Sequence, residues 1–142
     1  MIKLKYKNDT FKMIFDVDHK SITLTTDEDK ITCKNDNEFN WVDSFLELAI
    51  HDIETSVFTD CFMLCYGFDH CMLFGKVDKE LAEKVLLESN SLKGFIINDK
   101  EEMEKIYKVL KAFRYLIGKD TSEYHKPKFD NRILNRVSPN II

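Results

Sequence analysis

Between Asn35 and Gly75 the chain carries eight carboxylates and no Lys or Arg: Asp36, Glu38, Asp43, Glu47, Asp52, Glu54, Asp60 and Asp69. The whole chain has a formal net charge of −4, so the remainder is net basic. Helical spacing places Asp43, Glu47 and Glu54 within about 40° of one another, opposite an apolar arc. Like charges at i, i+4 repel by roughly a few tenths of a kcal/mol, and nothing basic nearby in sequence relieves them. Such a stripe is either a solvated face or a docking surface for a basic protein, because complementary charge speeds association and excludes wrong partners. The docking set is Asp43, Glu47 and Glu54, with His51 at the edge of the stripe. A calcium hand would need an acidic loop with a turn glycine, and this stretch has none.

Two charges break the amphipathic rule. Asp52 projects into the apolar arc of the first helix, and Arg114 into the apolar edge of the third. Either would be costly to bury alone, and a buried Asp52–Arg114 ion pair would account for both. The doublet His51-Asp52 resembles the metal-binding pair of phosphohydrolases, but the further ligands of such a site cannot be placed. Cys61, Cys65, His70 and Cys71 lie close in sequence, yet Cys61 and Cys65 sit roughly 13 Å apart along an extended strand. One ion cannot bridge that, so no metal or other cofactor is expected and the cysteines read as small buried hydrophobes. Gly67, Gly75, Gly94 and Gly118 are too scattered for a phosphate cradle. Nucleic acid is not an expected partner, since a basic patch would be required.

The elements that must position these residues follow from periodicity. Residues 2–34 alternate apolar and polar with period two, and turn residues break the runs at Asn8-Asp9, Asp18-His19-Lys20 and Asp27-Glu28-Asp29. That predicts a four-strand antiparallel meander. Over 40–57, Trp41, Val42, Phe45, Leu46, Leu48, Ala49, Ile53 and Val57 form one helical arc. Cys61–Tyr66 and Cys71–Phe74 are apolar runs split by a short loop, which reads as a hairpin covered on both faces. Asp78 caps a second helix over 79–89, and Phe95-Ile96-Ile97 reads as a short strand after Gly94. A third helix over 100–117 has Asp99 as cap, Glu102 as its capping-box partner and Gly118 as its stop.

The expected fold is therefore α+β: an antiparallel sheet of the meander plus the central hairpin, with two to three packed helices. Residues 1–118 read as a single domain. Residues 119–142 hold both prolines and little periodicity, and read as an extended tail or an arm for docking or homo-oligomer formation. There is no apolar leader and no window of 18 uncharged apolar residues, so the expected setting is cytoplasmic, without membrane contact. Two functions fit. One is a small acidic protein that neutralises or regulates a basic partner protein, as immunity proteins, antitoxins and inhibitors do. The other is a small-molecule ligand-binding domain or enzyme with a pocket around His51, Asp52 and Arg114.

Overall fold

Period-two alternation becomes strands β1 (Lys3–Lys7), β2 (Lys12–Asp16), β3 (Ser21–Thr25) and β4 (Lys30–Lys34) in the computed structural model, which describes residues 2–57, 61–67 and 72–118. The four pair in sequence order, each antiparallel to the next. Register aligns the apolar positions into two transverse rows, Leu4–Phe15–Ile22–Cys33 and Tyr6–Met13–Leu24–Ile31. A slip of one residue would turn every one of these side chains to the other face, so burial fixes the register. On that other face Thr23 and Thr32 lie opposite each other, with hydroxyl oxygens 3.1 Å apart.

Helix α1 (Trp41–Glu54) buries Val42, Phe45, Leu46, Ala49 and Ile50. Its entry is shaped by Asp36, whose carboxylate accepts the N–H groups of Glu38 and Phe39 and the Trp41 indole N–H. Leu48 and Val57, expected inside, are exposed, while Ile50 is fully covered. The buried stripe thus stays with the i, i+3, i+4 series that starts at Val42, and Leu48 falls outside it.

The expectation of one sheet from meander and hairpin is corrected. Strands β5 (Cys61–Gly67), β6 (Met72–Val77) and β7 (Leu92–Ile97) make a separate three-stranded sheet of order β6-β5-β7. β7 runs through Gly94 instead of starting after it. A Cβ on residue 94 would lie 2.6 Å from the Leu64 carbonyl oxygen, so the glycine is there for close strand approach, not as a break. Alternation along β5 then divides its residues: Phe62, Leu64 and Tyr66 join the main core, while Cys61 and Cys65 face the other way. Helix α2 (Lys79–Glu88) packs on β7 and β5 and brings Ala82 inside. Asp78 is its N-cap, accepting the Leu81 N–H at 3.1 Å.

A third helix, α3, covers residues 100–118. It buries Met103, Ile106, Leu110, Phe113 and Ile117, and the rings of Phe113 and Phe15 are 5.3 Å apart across the meander. Asp99 opens the helix as expected, its carbonyl taking the Met103 N–H and its carboxylate the Glu101 N–H. Glu102 does not complete a capping box. Its carboxylate instead accepts the Tyr6 hydroxyl and the Asn8 amide of the meander. Gly118 is still helical, and no described glycine has a positive φ. The two sheets meet where Phe95 packs 4.9 Å from Phe11 and the Tyr66 hydroxyl donates to Asp29. Among the described residues no helix is long and apolar enough to cross a membrane. Residues 119–142, of which a docking or oligomer role is expected, lie outside the described residues, as do Asp60, Asp69, His70 and Cys71.

Candidate functional site

The seam between the end of α1 and α3 brings Glu54 of the acidic stretch against Tyr107 and Lys111. Glu54 ends α1 with its side chain only 4% exposed, and Lys111 of α3 lies 3.5 Å from its carboxylate. The Tyr107 hydroxyl donates to the same oxygen. Burial raises the Tyr107 hydroxyl above its ordinary value, the bond to Glu54 adds to that, and the charge of Arg114 opposes it. Lys111 also sits 5.9 Å from the Tyr107 ring centroid. Tyr107, Lys111 and Arg114 are spaced i, i+4, i+7, so one face of α3 presents all three.

Beside this cluster lies a half-open cleft of about 300 Å³. Ile53, Val57, Phe62 and Met103 give it apolar walls, and the Tyr107 ring closes one side. Ser56, Asn98, Lys100 and Glu104 complete its lining. Ser56 Oγ is committed to the Ile53 carbonyl at 2.8 Å. The cleft thus exists because α1 ends at Glu54 and the chain turns toward β5, while α3 starts just after β7.

The residues of the acidic stripe do not share one solvated face. Glu54 is buried against α3, whereas Asp43 and Glu47 are half-buried on α1. Asp43 accepts the Asn35 side-chain amide at 3.3 Å. Helix α1 packs through more than its apolar arc: α3 covers a second side and takes Glu54 with it. Asp52 also finds an internal donor, the Lys76 N–H at 2.9 Å. β6 is an edge strand, and α1 lies against it, so Asp52 satisfies an edge N–H that would otherwise be open to pairing. The expected ion pair is therefore not formed: Asp52 turns to β6, and no carboxylate lies within ion-pair distance of Arg114 among the described residues. Arg114 Nη1 and His51 Nδ1 are buried and have no hydrogen-bond partner among the described residues. Of the pocket expected around His51, Asp52 and Arg114, the cleft uses none; it opens one to two turns away, at Tyr107.

No group of His, Cys, Asp and Glu side chains among the described residues could hold a metal ion. Cys33, Cys61 and Cys65 are all buried. Burial raises the thiols of Cys61 and Cys65, away from the reactive thiolate. His19 is tied to Asp16 in a surface turn. Tyr107 is the residue that sequence reasoning missed. Its place in the apolar stripe of α3 marks it as core, and the only hint of a second role is its hydroxyl, which a buried tyrosine must satisfy. The chain matches no protein-family model, no curated protein and no solved structure.

Proposed function

We propose that this protein binds a small molecule with an apolar body and one hydrogen-bond donor, in the cleft between the end of α1 and the start of α3. The observation that carries this reading is the lining itself: four apolar side chains and a tyrosine ring whose hydroxyl is held by a buried carboxylate. At about 300 Å³ the cleft is at the small end of ligand sites, which run from about 300 to 1,000 Å³. A ligand the size of indole suits it. Holding Tyr107 in place before the ligand arrives lowers the ordering cost of binding. Glu104 and Asn98 on the rim supply acceptors for a donor group. Ser56 Oγ is already committed to the backbone, so the reading is binding, not catalysis. Buried free thiols at Cys61 and Cys65 suit a reducing, cytoplasmic setting.

Neutralising a basic partner protein is the weaker reading. Its docking face loses Glu54 to the interior, and Asp43 already accepts an internal hydrogen bond. The test of the cleft is calorimetric titration of indole into wild type and Ser56→Trp, which fills the cleft from its rim. Saturable binding by wild type that disappears in a folded Ser56→Trp variant supports the reading. Equal heats for both proteins, or no binding by wild type, contradicts it.

A further inference from the structure

Away from the cleft, the core takes alternate residues of the meander, so the residues between them share the opposite face. On that face β1 places Lys3, Lys5 and Lys7, β2 places Lys12, and β4 places Lys30 and Lys34. All but Lys12 are exposed. Lys3 lies 3.9 Å from Asp16. None of the other five is within ion-pair distance of a carboxylate among the described residues. Net charge hides this face, because Asp16 is the one acidic residue within the four strands. The other carboxylates of the meander sit in the connections, where Glu28 and Asp29 reach Lys93 of β7. Alternation thus builds the basic patch that nucleic-acid binding requires and that overall composition does not suggest.

The lysines frame a strip of hydroxyls. Those of β1 span about 13 Å along one edge of the meander, and β4 forms the other edge about 14 Å away, three strand spacings across. Thr23 and Thr25 of β3 lie between the edges, and Thr32 separates the two lysines of β4. The apolar residue of this face is Ile14, which is half-buried, and the face has no aromatic ring. Lys7 and Lys12 stand directly opposite each other. Like charges so placed destabilise a sheet, and an anion lying over the pair relieves that repulsion.

We propose that this face binds double-stranded RNA across its minor groove. The lysines of β1 and β4 meet the phosphates of the two strands, and the threonine hydroxyls meet 2′-hydroxyls between them. Other polyanions fit less well. Single-stranded nucleic acid is held by aromatic stacking platforms, and this face has none. A DNA duplex offers grooves about 6 and 12 Å wide, both narrower than a face about 14 Å across. The minor groove of an RNA duplex is wide, shallow and lined with 2′-hydroxyls, so a broad face lies over it. An anionic membrane also attracts lysines. Binding to a membrane scales with inserted apolar area as well as charge, and the half-buried Ile14 offers little.

The test is fluorescence anisotropy of the full chain with a labelled RNA duplex of about 16 base pairs and the DNA duplex of the same sequence. Wild type should bind the RNA more tightly than the DNA. With four lysines on phosphates, affinity should fall roughly a hundredfold between about 50 and 200 mM salt. Lys5→Gln, Lys7→Gln, Lys30→Gln and Lys34→Gln together should remove most of that salt dependence and weaken RNA binding on the order of a hundredfold. Lys79→Gln, Lys84→Gln, Lys105→Gln and Lys108→Gln on α2 and α3, an equal change of net charge, should leave binding within about twofold. Thr25→Val, which removes a hydroxyl and no charge, should narrow the preference for RNA over DNA. Amide NMR of wild type, which needs no variant, should place the shifts caused by RNA on β1, β3 and β4. No RNA binding at about 50 mM salt, DNA bound as tightly as RNA, equal losses in the two lysine variants, or shifts on the helices instead of the meander would overturn the proposal. Tighter binding to phosphatidylserine vesicles or to polyglutamate than to RNA would overturn it too, in favour of a membrane or an acidic protein.

Discussion

Three tyrosines are fixed by carboxylates far away in sequence: Tyr6 by Glu102, Tyr66 by Asp29 and Tyr107 by Glu54. Each pair lets a large apolar ring enter the core while its hydroxyl keeps a strong acceptor. The pair at the seam has the most at stake, because Glu54 is 4% exposed and a buried carboxylate stripped of its partners is costly. Tyr107→Phe and Glu54→Gln should each destabilise the protein by about 1–2 kcal/mol. The double variant should fall short of the sum by on the order of 1 kcal/mol, measured by denaturant unfolding. Simple additivity would show that the two side chains do not interact. The pairs also set the response to alkali. Burial first, and the carboxylate bonds second, raise all three hydroxyls above the ordinary value of 10.0. Above about pH 10 the unfolded chain then holds fewer protons than the folded one, so stability falls as pH rises, whereas below that value the contribution is fully present. Tyrosinate absorbance should show these three tyrosines resisting ionisation until the protein unfolds. Their ionisation near pH 10 in the folded state would contradict the pairing.

Elements differ in how much of their environment is local. Gly94 sits on β7 where it pairs with Cys65 of β5, and an added Cβ would lie 2.6 Å from the Leu64 carbonyl oxygen and 3.1 Å from Cys65 Cα. Both obstacles are backbone of the central strand and cannot give way cheaply. Gly94→Ala should therefore cost about 3 kcal/mol. Gly118→Ala, whose added Cβ would meet nothing within 4 Å among the described residues, should change stability by less than about 1 kcal/mol. Thermal melts of the two variants make the comparison, and a tolerated Gly94→Ala would mean that β7 is not held so close to β5. The meander was readable because its strands are neighbours in sequence, with turn residues between them and one buried face each. The α2 cap was readable for the same reason, since Asp78 and Leu81 are three residues apart. β7 was misjudged at its start because a glycine within a strand looks like a glycine that ends one. Glu102 looks like a capping residue from its own helix, and only the arrival of Tyr6 and Asn8 on that helix shows otherwise. Alternation identifies which face of a strand is buried but not which strand lies beside it, so the division into two sheets was not legible.

Across the whole molecule, the carboxylates of the basic-free stretch serve largely as internal acceptors. Asp36 shapes the entry to α1, Asp43 takes Asn35, Asp52 closes the edge of β6, and Glu54 joins α1 to α3. Composition marked this stretch as unusual, but its basic partners come from other elements or from the backbone, and sequence spacing does not show them. Asp52 and Arg114 were legible as misfits on their helices. The cleft was not legible, because its walls come from the end of α1, from β5 and from α3, and each wall residue has an ordinary place in its own apolar stripe. The central claim is that this cleft is the binding site. The most direct test is methionine-methyl NMR during an indole titration, since Met13, Met63, Met72 and Met103 report on four separate places and only Met103 lines the cleft. A saturable shift at Met103, with Met13 and Met72 of the remaining core unmoved, is the expected result. Shifts spread evenly over all four methyls, or none at Met103, would contradict it.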